Sequence, residues 1–594
     1  IDLLMLFEHA PVKPLSWLHL FVLKAKPDGG DRTIGLSVCP LRVWSRIRRP
    51  LAVAWEKASD QPYFYGTAGR ACERAAWSLS VATVGARGAG QAAGAVFLDI
   101  AKFYENVWHS DLLKDGEALG FPMRLLACCL GSYRGWRTIE ANGVVAVPFE
   151  AFGTIVAGCS LATTCARILV ARPLQQAQLK VPSIHLWNVV DDISMACSGE
   201  ALGTLIELRK AASIIVNGLK ERHLPLSAGK SKALLYGVEE ATVKAGKIFE
   251  SLGIEPAAHV RNLGVDVIAG SRRHAPVSAG RLAKARARSA RLKRISTWCG
   301  QAGAVAAGAV KAVGTWGAHI LGLSDKNLST LTSASVRGAL PISKNQSLSL
   351  ICHAKGMHHL LLPAYQHHAA VIREWATGVW TGFPHIDTFQ SALMHAQERL
   401  QHRQKAWSFA TDAACGFLLT CARIGWKPIS ARILITDEGI ELDLLRIAPK
   451  MAASLAHRAT ERWMAAGAKL GIDACTSTTV WWEAIRGLFK YKPNSEWTAW
   501  HSTVALKLAS GGLRVHRGRS SPCEFCGLAA DSWYHRCFDC DAFWHHRRAH
   551  ASKELLAAAR ALSEQPHLQE NFCRGLLPHP RCLFPAPLCG EEAR

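Results

Sequence analysis

The sequence has 594 residues, and its hydrophobic fraction of 49% excludes a disordered chain. Its 70 Lys and Arg residues outnumber 46 Asp and Glu residues, and the net charge of +24 favours a nucleic-acid partner, with a surplus that serves only solubility as the alternative. Its 19 cysteines are too dilute for a disulfide scaffold, so the composition predicts an intracellular protein.

The first predicted elements are two strands and a basic helix. Lys26 and Arg32 lie in a stretch with Pro, Asp and two Gly residues, placed between two apolar runs, which predicts a turn between strands. Residues 40–57 are then expected to form the helix. Either basic residue, taken alone, is also typical of a solvated surface charge.

Two apolar runs predict buried strands next to carboxylates. Residues 94–100 include Asp99 near their end, and residues 184–190 precede Asp191 and Asp192, after which a further apolar run completes a hairpin. If the strands are neighbours, the three carboxylates converge and offer the oxygen ligands that Mg²⁺ prefers in a two-metal site. An acid after an apolar run is also an ordinary strand terminator or helix cap.

Helices are expected after the strands. Residues 101–130 and 201–222 have helical patterns, and residues 160–172 are expected to form a helix with Ser160 as its N-cap and Pro173 as its stop. Further along, the stretch at residues 302–323 is rich in Ala and Gly and contains a lysine. We expect it to be a packed helix rather than a membrane span.

A strongly basic segment covers residues 272–294, with nine basic residues and no acidic residue. Lys284, Arg288 and Arg291 share one face of the predicted helix, because they are spaced i, i+4 and i+7. Together with Arg281 they are candidates to contact nucleic-acid phosphates. A solvated cationic face is the alternative.

A cysteine–histidine cluster lies near the C-terminus. Cys523, Cys526, His535 and Cys540 are spaced C-x2-C-x8-H-x4-C, which suits tetrahedral Zn²⁺. Cys537 is a competing candidate for the fourth ligand. Free cysteines with a surface histidine are the alternative to a metal site.

Six segments resemble reverse transcriptase motifs and occur in that family's order. Residues 97–104 (Phe-Leu-Asp-Ile-Ala-Lys-Phe-Tyr) resemble the first palm motif, and residues 189–192 (Val-Val-Asp-Asp) resemble the double-aspartate motif. The other four segments are Lys26-Pro27 with Arg32, residues 157–162, residues 224–232 and residues 262–265. Residues 157–162 depart from the family pattern, with Ala, Ser and Ala in place of its Gln, Pro and Ser.

The resemblance implies a role for each matching residue. Asp99, Asp191 and Asp192 would bind two catalytic Mg²⁺ ions, or Mn²⁺ in their place. Tyr104 would be the steric gate against a ribose 2′-hydroxyl. The residues expected to contact nucleotide or template are Lys26, Arg32, Tyr104, Gly158 and Lys230.

The Cys/His spacing is similar to that of the CCHC knuckles that follow the polymerase in non-LTR retrotransposons. The resemblance therefore implies an α+β right-hand polymerase with a helical connector and a knuckle that binds one structural Zn²⁺. The expected divisions are fingers at 1–93 (N-terminally truncated), palm at 94–270, thumb at 271–330, connector at 331–510, knuckle at 515–550 and a C-terminal tail at 551–594.

The expected activity is RNA-directed DNA synthesis by a non-LTR (LINE-type) retrotransposon enzyme, with an RNA template, a DNA primer or target, dNTPs and no membrane as partner. The alternative is a catalytically decayed scaffold that binds nucleic acid. A third hypothesis is a viral RNA polymerase or an intron maturase; Tyr104 at the gate position and the C-terminal knuckle argue against a viral RNA polymerase, because a bulky gate excludes ribonucleotides. We expect an intracellular location, in the nucleus at the integration site or in the cytoplasm as a ribonucleoprotein. Because the chain begins with Ile1, we also expect preceding sequence, with room for an endonuclease.

Overall fold

The chain folds into two compact units, described here from a computed structural model. The first unit comprises Ile1–His274 and Phe383–Ala414, and the second comprises Ala275–Gly382 and Cys415–Arg594. The structure describes residues 8, 18–25, 31–67, 70–151, 153–227, 229–236, 248–342, 346–467, 480, 482–490, 498–510, 522–527 and 535–563.

The strands are short and most of them belong to the first unit. They are β1 (Leu18–Ala25), β2 (Asp31–Leu36), β3 (Ala92–Asp99), β4 (Gly135–Ala141), β5 (Val144–Val145), β6 (Phe149–Ala151), β7 (His185–Val189), β8 (Asp192–Gly199), β9 (Lys232–Tyr236), β10 (Glu255–Ala257), β11 (His259–Asn262), β12 (Val265–Ile268), β13 (Lys427–Pro428), β14 (Ile433–Ile435) and β15 (Glu441–Asp443).

The helices supply most of the second unit and cover the sheets of the first. They are α1 (Cys39–Ala58), α2 (Cys72–Gly88), α3 (His109–Ala118), α4 (Met123–Tyr133), α5 (Ala162–Lys180), α6 (Ala201–Lys220), α7 (Pro276–Ile295), α8 (Ala302–Val305), α9 (Ala312–Thr315), α10 (Ala318–Leu321), α11 (Asp325–Ala339), α12 (Leu348–Ala354), α13 (His358–Leu361), α14 (Pro363–Thr381), α15 (Ile386–Leu400), α16 (Ala413–Arg423), α17 (Pro449–Gly467), α18 (Trp482–Ile485), α19 (Ala499–Ala509), α20 (Trp544–His550) and α21 (Lys553–Ser563).

The sheet at the centre of the first unit has the strand order β10-β9-β3-β8-β7. Strand β3 pairs antiparallel with β8 and with β9, and β7 pairs antiparallel with β8. The run Ala-Ala-Gly-Ala-Val-Phe-Leu-Asp is buried along most of β3. A strand buried on both faces reads as a continuous apolar run, which is why the sequence predicted it.

The two faces of this sheet pack against different helices. Val96 and Leu98 of β3 lie in the core shared with α5 and α6. Ala95 and Phe97 lie in the core shared with α2. Successive side chains of a strand point to opposite faces, so one strand serves both cores. The result is a sheet between two helical layers.

The second sheet of this unit has the order β2-β1-β4-β5, with β6 also paired to β4. Strands β1 and β2 are antiparallel neighbours, and the residues between them, where the sequence predicted a turn, lie outside the described residues. Strand β1 pairs in parallel with β4, which comes from the range expected to be palm. The fingers and palm ranges of the sequence therefore share one sheet.

Residues 383–414, from the range expected to be connector, belong to the first unit. Their helix α15 packs against α2, where a Cβ atom built at Gly88 would lie 2.1 Å from the Ser391 carbonyl oxygen. A Cβ built at Gly85 would lie 2.5 Å from the Thr388 carbonyl oxygen. Glycine at these two places allows the backbones to approach closely.

The described part of the second unit is a helical assembly that includes the small sheet β13-β14-β15. Helix α7 buries Leu282, Ala285, Ser289 and Leu292, which recur along one face of the helix, against α11. Helices α14 and α17 pack together along the same unit. The buried residues recur at helical spacing, whereas the prediction of α7 rested on the spacing of its basic residues.

Three helical predictions were wrong in their bounds. Helix α5 continues through Pro173 to Lys180, and Leu161 rather than Ser160 is its N-cap. Proline removes one helix hydrogen bond, but Pro173 is buried against Gly218 of α6, so tertiary packing outweighs that local loss. Residues 101–130 form two helices, α3 and α4, that meet around Pro122.

Residues 302–323 are helical but do not form one helix. They comprise α8, a π-helical turn at Ala306–Lys311, α9 and α10. The break before α10 falls at Gly317, whose φ is +65°, a conformation in which glycine is favoured. In the described part of the chain, no helix has both the length and the apolar character that a bilayer crossing needs.

Candidate active site and Cys/His cluster

Three aspartates come together at one end of the central sheet. Asp99 ends β3 and lies directly opposite Asp192, the first residue of β8. Asp191 occupies the tight connection between β7 and β8, where Val190 has a φ of +61°. The pairing of the two strands thus juxtaposes carboxylates that are more than ninety residues apart in sequence.

Electrostatic repulsion within this group appears in the titration of Asp192. Burial and the negative charges of Asp191 and Asp99 together raise the pKa of Asp192 to about 7, and Arg261 acts in the opposite direction. Like charges that share a partly buried site disfavour the ionised form. A bound divalent cation would relieve this repulsion, and the donor set of three carboxylates fits a hard ion such as Mg²⁺.

The segment at residues 224–232 is hydrogen-bonded to the end of β3. The Ser227 N–H donates to the Asp99 carbonyl oxygen at 2.7 Å, and the Asp99 N–H donates to the Ser231 Oγ at 3.1 Å. The Ala101 N–H donates to the Pro225 carbonyl oxygen at 2.8 Å. Lys230 lies exposed in the same segment. The sequence indicated Lys230 but gave no sign of the two serines.

Tyr104 lies five residues after Asp99, in a 3₁₀ turn at Phe103–Glu105. Its carbonyl oxygen accepts from the Ile155 N–H at 2.9 Å, and its ring meets the Phe103 ring edge-on at 5.6 Å. Burial raises the pKa of Tyr104 to about 12, and the negative charge of Asp191 contributes. The half-buried Tyr104 ring is therefore held close to the aspartates.

Gly158 lies in the stretch that departs from the family pattern. Its φ is +112°, and a Cβ atom built there would lie 2.8 Å from the Gly35 carbonyl oxygen. The Gly35 N–H in turn donates to the Ala157 carbonyl oxygen at 3.1 Å. This contact joins β2 to the loop before α5, and it depends on glycine at both places. Gly35 is a site residue that the sequence did not reveal.

The two basic candidates of the N-terminal region are less fully described. Lys26 lies outside the described residues. Arg32 pairs with Lys24 in the β1–β2 ladder, and its side chain is outside the described part of the chain. Beside them, the Thr33 hydroxyl donates to Glu105 Oε1 at 2.7 Å, which connects β2 to the turn that carries Tyr104.

The segment at residues 262–265 forms a tight hairpin between β11 and β12. Leu263 and Gly264 have φ values of +49° and +76°, and Asn262 pairs with Val265 across the turn. Two consecutive positive φ angles are typical of the type I′ turn, whose twist matches the flanking strands. The Leu-Gly turn that the sequence pointed to is therefore a rigid hairpin.

The cationic candidates of α7 differ in their surroundings within the second unit. Lys284 and Arg291 are exposed. Arg288 is exposed too, and it donates to the Ala309 carbonyl oxygen at 3.0 Å. Arg281 is half-buried, with its guanidinium 5.6 Å from the centre of the Trp316 ring. Lys284 and Arg291 are thus the exposed cations of this face that we test for contact with phosphates.

The four predicted zinc ligands form one cluster in the second unit. The ligand atoms of Cys523, Cys526, His535 and Cys540 all lie within 4.8 Å of one another. The sulfur atoms of Cys523 and Cys540 are 3.8 Å apart, and Cys526 Sγ is 3.2 Å from His535 Nε2. The side chain of Cys537, the competing candidate, lies outside the described residues.

The local backbone favours a thiolate at Cys523. Burial raises its pKa, but backbone N–H groups of Cys526 and Phe525, together with neighbouring thiols, outweigh burial and lower the pKa to about 7. A thiolate is the form that binds metal. Arg547 donates to the Cys540 carbonyl oxygen at 2.7 Å, so the basic helix α20 is attached to the cluster.

Comparison with known protein families identifies one domain of the chain. The sequence model of the family described as "Reverse transcriptase (RNA-dependent DNA polymerase)" matches residues 24–267. This range contains the three aspartates, Tyr104 and Gly158. The chain thus carries a reverse transcriptase domain over the matched residues. No curated protein matches the sequence.

Among solved structures, similarity is found to telomerases. Telomerase from Candida tropicalis in complex with a TWJ fragment of telomeric RNA is 11% identical, with a TM-score of 0.38, and the match covers 66% of this chain and 63% of that one. Telomerase from Candida albicans in complex with the same fragment is 11% identical, with a TM-score of 0.33 and coverage of 66% of each chain. Apo telomerase from Candida tropicalis truncated from its C-terminal domain is 12% identical, with a TM-score of 0.31 and coverage of 42% and 53%. The chain spans about half to two thirds of the length of these structures.

Proposed function

We propose that this protein is the RNA-directed DNA polymerase of a non-LTR retrotransposon. The observation that carries the proposal is the register of the central sheet, which sets Asp99 opposite Asp192 with Asp191 in the adjoining turn. The Cys/His cluster that follows the polymerase domain in the chain favours the non-LTR type. The partners would be an RNA template, a DNA primer at the target and dNTPs.

The three aspartates would hold two Mg²⁺ ions. When bound, these ions supply charge stabilisation and hold the attacking and leaving oxygens in line. The primer 3′-hydroxyl would lose its proton to solvent, and its oxygen would form a bond to the α-phosphorus of the dNTP as the bond from that phosphorus to the bridging oxygen breaks and pyrophosphate leaves. Positioning of the reacting groups supplies much of the catalysis in such transfers.

Residues around the aspartates would select and position the nucleotide. The Tyr104 ring, held by Phe103 and by the main chain of Ile155, would exclude a ribose 2′-hydroxyl. Lys230 is exposed beside the end of β3 and would attract the triphosphate. Lys26 and Arg32 would contribute further positive charge from the β1–β2 hairpin.

The Cys/His cluster would bind one structural Zn²⁺. Three sulfurs and one imidazole nitrogen within 4.8 Å form a donor set that suits tetrahedral zinc. Arg547 and Arg548 on the attached helix α20 give this module a basic surface, which favours a role in nucleic-acid binding. The proposed location is the nucleus at the integration site, or the cytoplasm as a ribonucleoprotein.

A second candidate function is a scaffold that binds nucleic acid without chemistry. The observation that favours it is the altered stretch at residues 157–162, where Ala157, Ser160 and Ala162 replace the family's residues. The retained aspartates and the retained Gly158 contact favour the polymerase instead.

Primer extension distinguishes the two functions. The purified chain is given an RNA template, a DNA primer, Mg²⁺ and either dNTPs or rNTPs, beside Asp191→Ala/Asp192→Ala and the control Glu221→Ala, which removes an exposed acid from the same unit. We expect extension with dNTPs by the parent and the control, and none by the double variant. Failure of the parent to extend a primer that it still binds would support the scaffold.

A further inference from the structure

A second group of metal-ligating side chains lies in the second unit, away from the Cys/His cluster in sequence. Helix α13 provides His358 and His359, and helix α17 provides Glu461. One ligand atom from each of the three lies within 4.8 Å of the others. None of these residues belongs to the polymerase site or to the cysteine cluster, so neither site accounts for the group.

Packing holds the two histidines in place. The Lys311 ammonium donates to the His359 carbonyl oxygen at 3.2 Å, which fixes the backbone of α13. The His359 ring lies 4.7 Å from the Tyr365 ring, and the His358 ring is stacked on His353 with their centres 4.3 Å apart. Restricted rings of this kind lose little entropy on binding a ligand.

Glu461 is held by the packing of α17 on α14. Its neighbour Thr460 is buried and contacts His368 Nδ1 of α14 through its hydroxyl at 3.0 Å. One turn earlier on α17, the His457 ring lies 5.3 Å from His359 and is stacked on Tyr365 at 5.2 Å. These contacts set the register of α17 and bring the carboxylate to the histidines.

The donor atoms are available to a cation. Nδ1 of His358 is buried, and within the described residues no hydrogen-bond partner reaches it. Burial lowers the pKa of His358 to about 4 and lowers that of His359 as well, so both imidazoles are neutral at pH 7. Neutral imidazole is the form that binds metal. Burial also raises the pKa of Glu461, a cost that a nearby cation would remove.

The composition of the group selects the kind of ion. Imidazole nitrogens suit Zn²⁺ and similar transition ions, whereas Mg²⁺ and Ca²⁺ prefer oxygen ligands alone. Arg486 lies near enough to His358, and Lys311 near enough to His359, for their positive charges to act on these rings. The same charges would repel a cation, so an ion here must be held by coordinate bonds and not by charge alone. His359 is exposed, so the group is open to solvent on one side.

We propose that His358, His359 and Glu461 form a second transition-metal site, which binds Zn²⁺ through two nitrogens and one oxygen and leaves a further position to water. This site joins α13 to α17 and is independent of the polymerase function. Two histidines and one glutamate with an open position are a known ligand set for zinc.

The test is the zinc content of the purified full chain, measured after dialysis in excess Mg²⁺, which keeps the catalytic carboxylates occupied. We expect His358→Ala/Glu461→Gln to hold one zinc fewer per chain than the parent. The control Glu441→Gln, which changes an exposed carboxylate of β15, should hold as much zinc as the parent. Equal zinc content in the double variant and the control would overturn the proposal.

Cobalt absorption separates this site from the cysteine cluster. In the Cys523→Ser/Cys526→Ser background, added Co²⁺ should still give a visible spectrum of nitrogen and oxygen ligation, without thiolate charge transfer. Adding His359→Ala should abolish that spectrum; because His359 is exposed, this change should leave the circular dichroism unchanged. A spectrum that survives His359→Ala would refute the site.

Discussion

At the scale of one residue, Gly158 shows why one position of the altered stretch at residues 157–162 still requires glycine. A residue with a side chain would be strained at its φ of +112°, and an added Cβ would lie 2.8 Å from the Gly35 carbonyl oxygen. We expect Gly158→Ala to lower the free energy of unfolding by about 2–5 kcal/mol, from backbone strain of about 1–2 kcal/mol and overpacking of about 1–3 kcal/mol. Urea unfolding measures the loss.

Gly143→Ala is the matched control for this prediction. Gly143 also has a positive φ, +84°, but a Cβ built there meets nothing within 4 Å. Only the strain should remain, about 1–2 kcal/mol. Equal losses in the two variants would show that the contact between β2 and the loop before α5 does not matter for stability.

Asp192 gives a prediction about pH. Its pKa is about 7 because burial and the charges of Asp191 and Asp99 disfavour its anion. Metal binding needs the carboxylate and therefore competes with one proton, so Mg²⁺ affinity should fall about tenfold for each pH unit below 7. At limiting Mg²⁺ the rate of primer extension should fall with a midpoint near 7 as the pH is lowered, and saturating Mg²⁺ should move the midpoint to lower pH. An identical midpoint at both concentrations would contradict this account.

At the scale of elements, the sequence predicted what local patterns encode. The strand ending at Asp99 is a continuous apolar run, and α7 has basic residues at helical spacing, so both were found. Contacts between distant segments leave no local pattern. The pairing of β1 with β4, the return of α15 to α2 and the bond from Ser231 to Asp99 depend on such contacts. The same holds for Pro173, whose place inside α5 is decided by its packing on α6.

Helix α7 yields the prediction for an element. Its exposed Lys284 and Arg291 share a face, and cations that contact phosphates release counterions on binding. We expect Lys284→Gln/Arg291→Gln to weaken binding of an RNA–DNA duplex and to reduce the slope of log affinity against log salt by about 0.9 for each charge lost. Fluorescence anisotropy over a salt series measures both.

Lys326→Gln/Lys427→Gln is the control, because it removes two exposed charges of the same unit outside this face. Its salt slope should stay close to that of the parent. If both double variants changed the slope equally, the effect would reflect net charge rather than the face of α7.

At the scale of the whole molecule, the chain places its carboxylates and its Cys/His cluster in different compact units. The aspartates are held by the pairing of β3, β7 and β8 within the first unit. The cysteine cluster is held by contacts among residues of the second, such as the hydrogen bond from the Cys540 N–H to the His535 carbonyl oxygen. Each unit buries its own apolar residues, so damage to one site should leave the other intact.

Cys523→Ser/Cys526→Ser tests this separation. Metal binding provides much of the folding energy of small zinc modules, so the variant should become sensitive to protease within residues 522–563. Extension of a short annealed primer should change less than about twofold, since the aspartates belong to the other unit. The control Cys39→Ser, which changes an exposed cysteine outside the cluster, should alter neither the protease sensitivity nor the extension. No residue of the cluster lies in the sheet that carries the carboxylates. If the cluster variant lost extension while circular dichroism showed that the fold was retained, the Cys/His module would therefore take part in holding the template–primer.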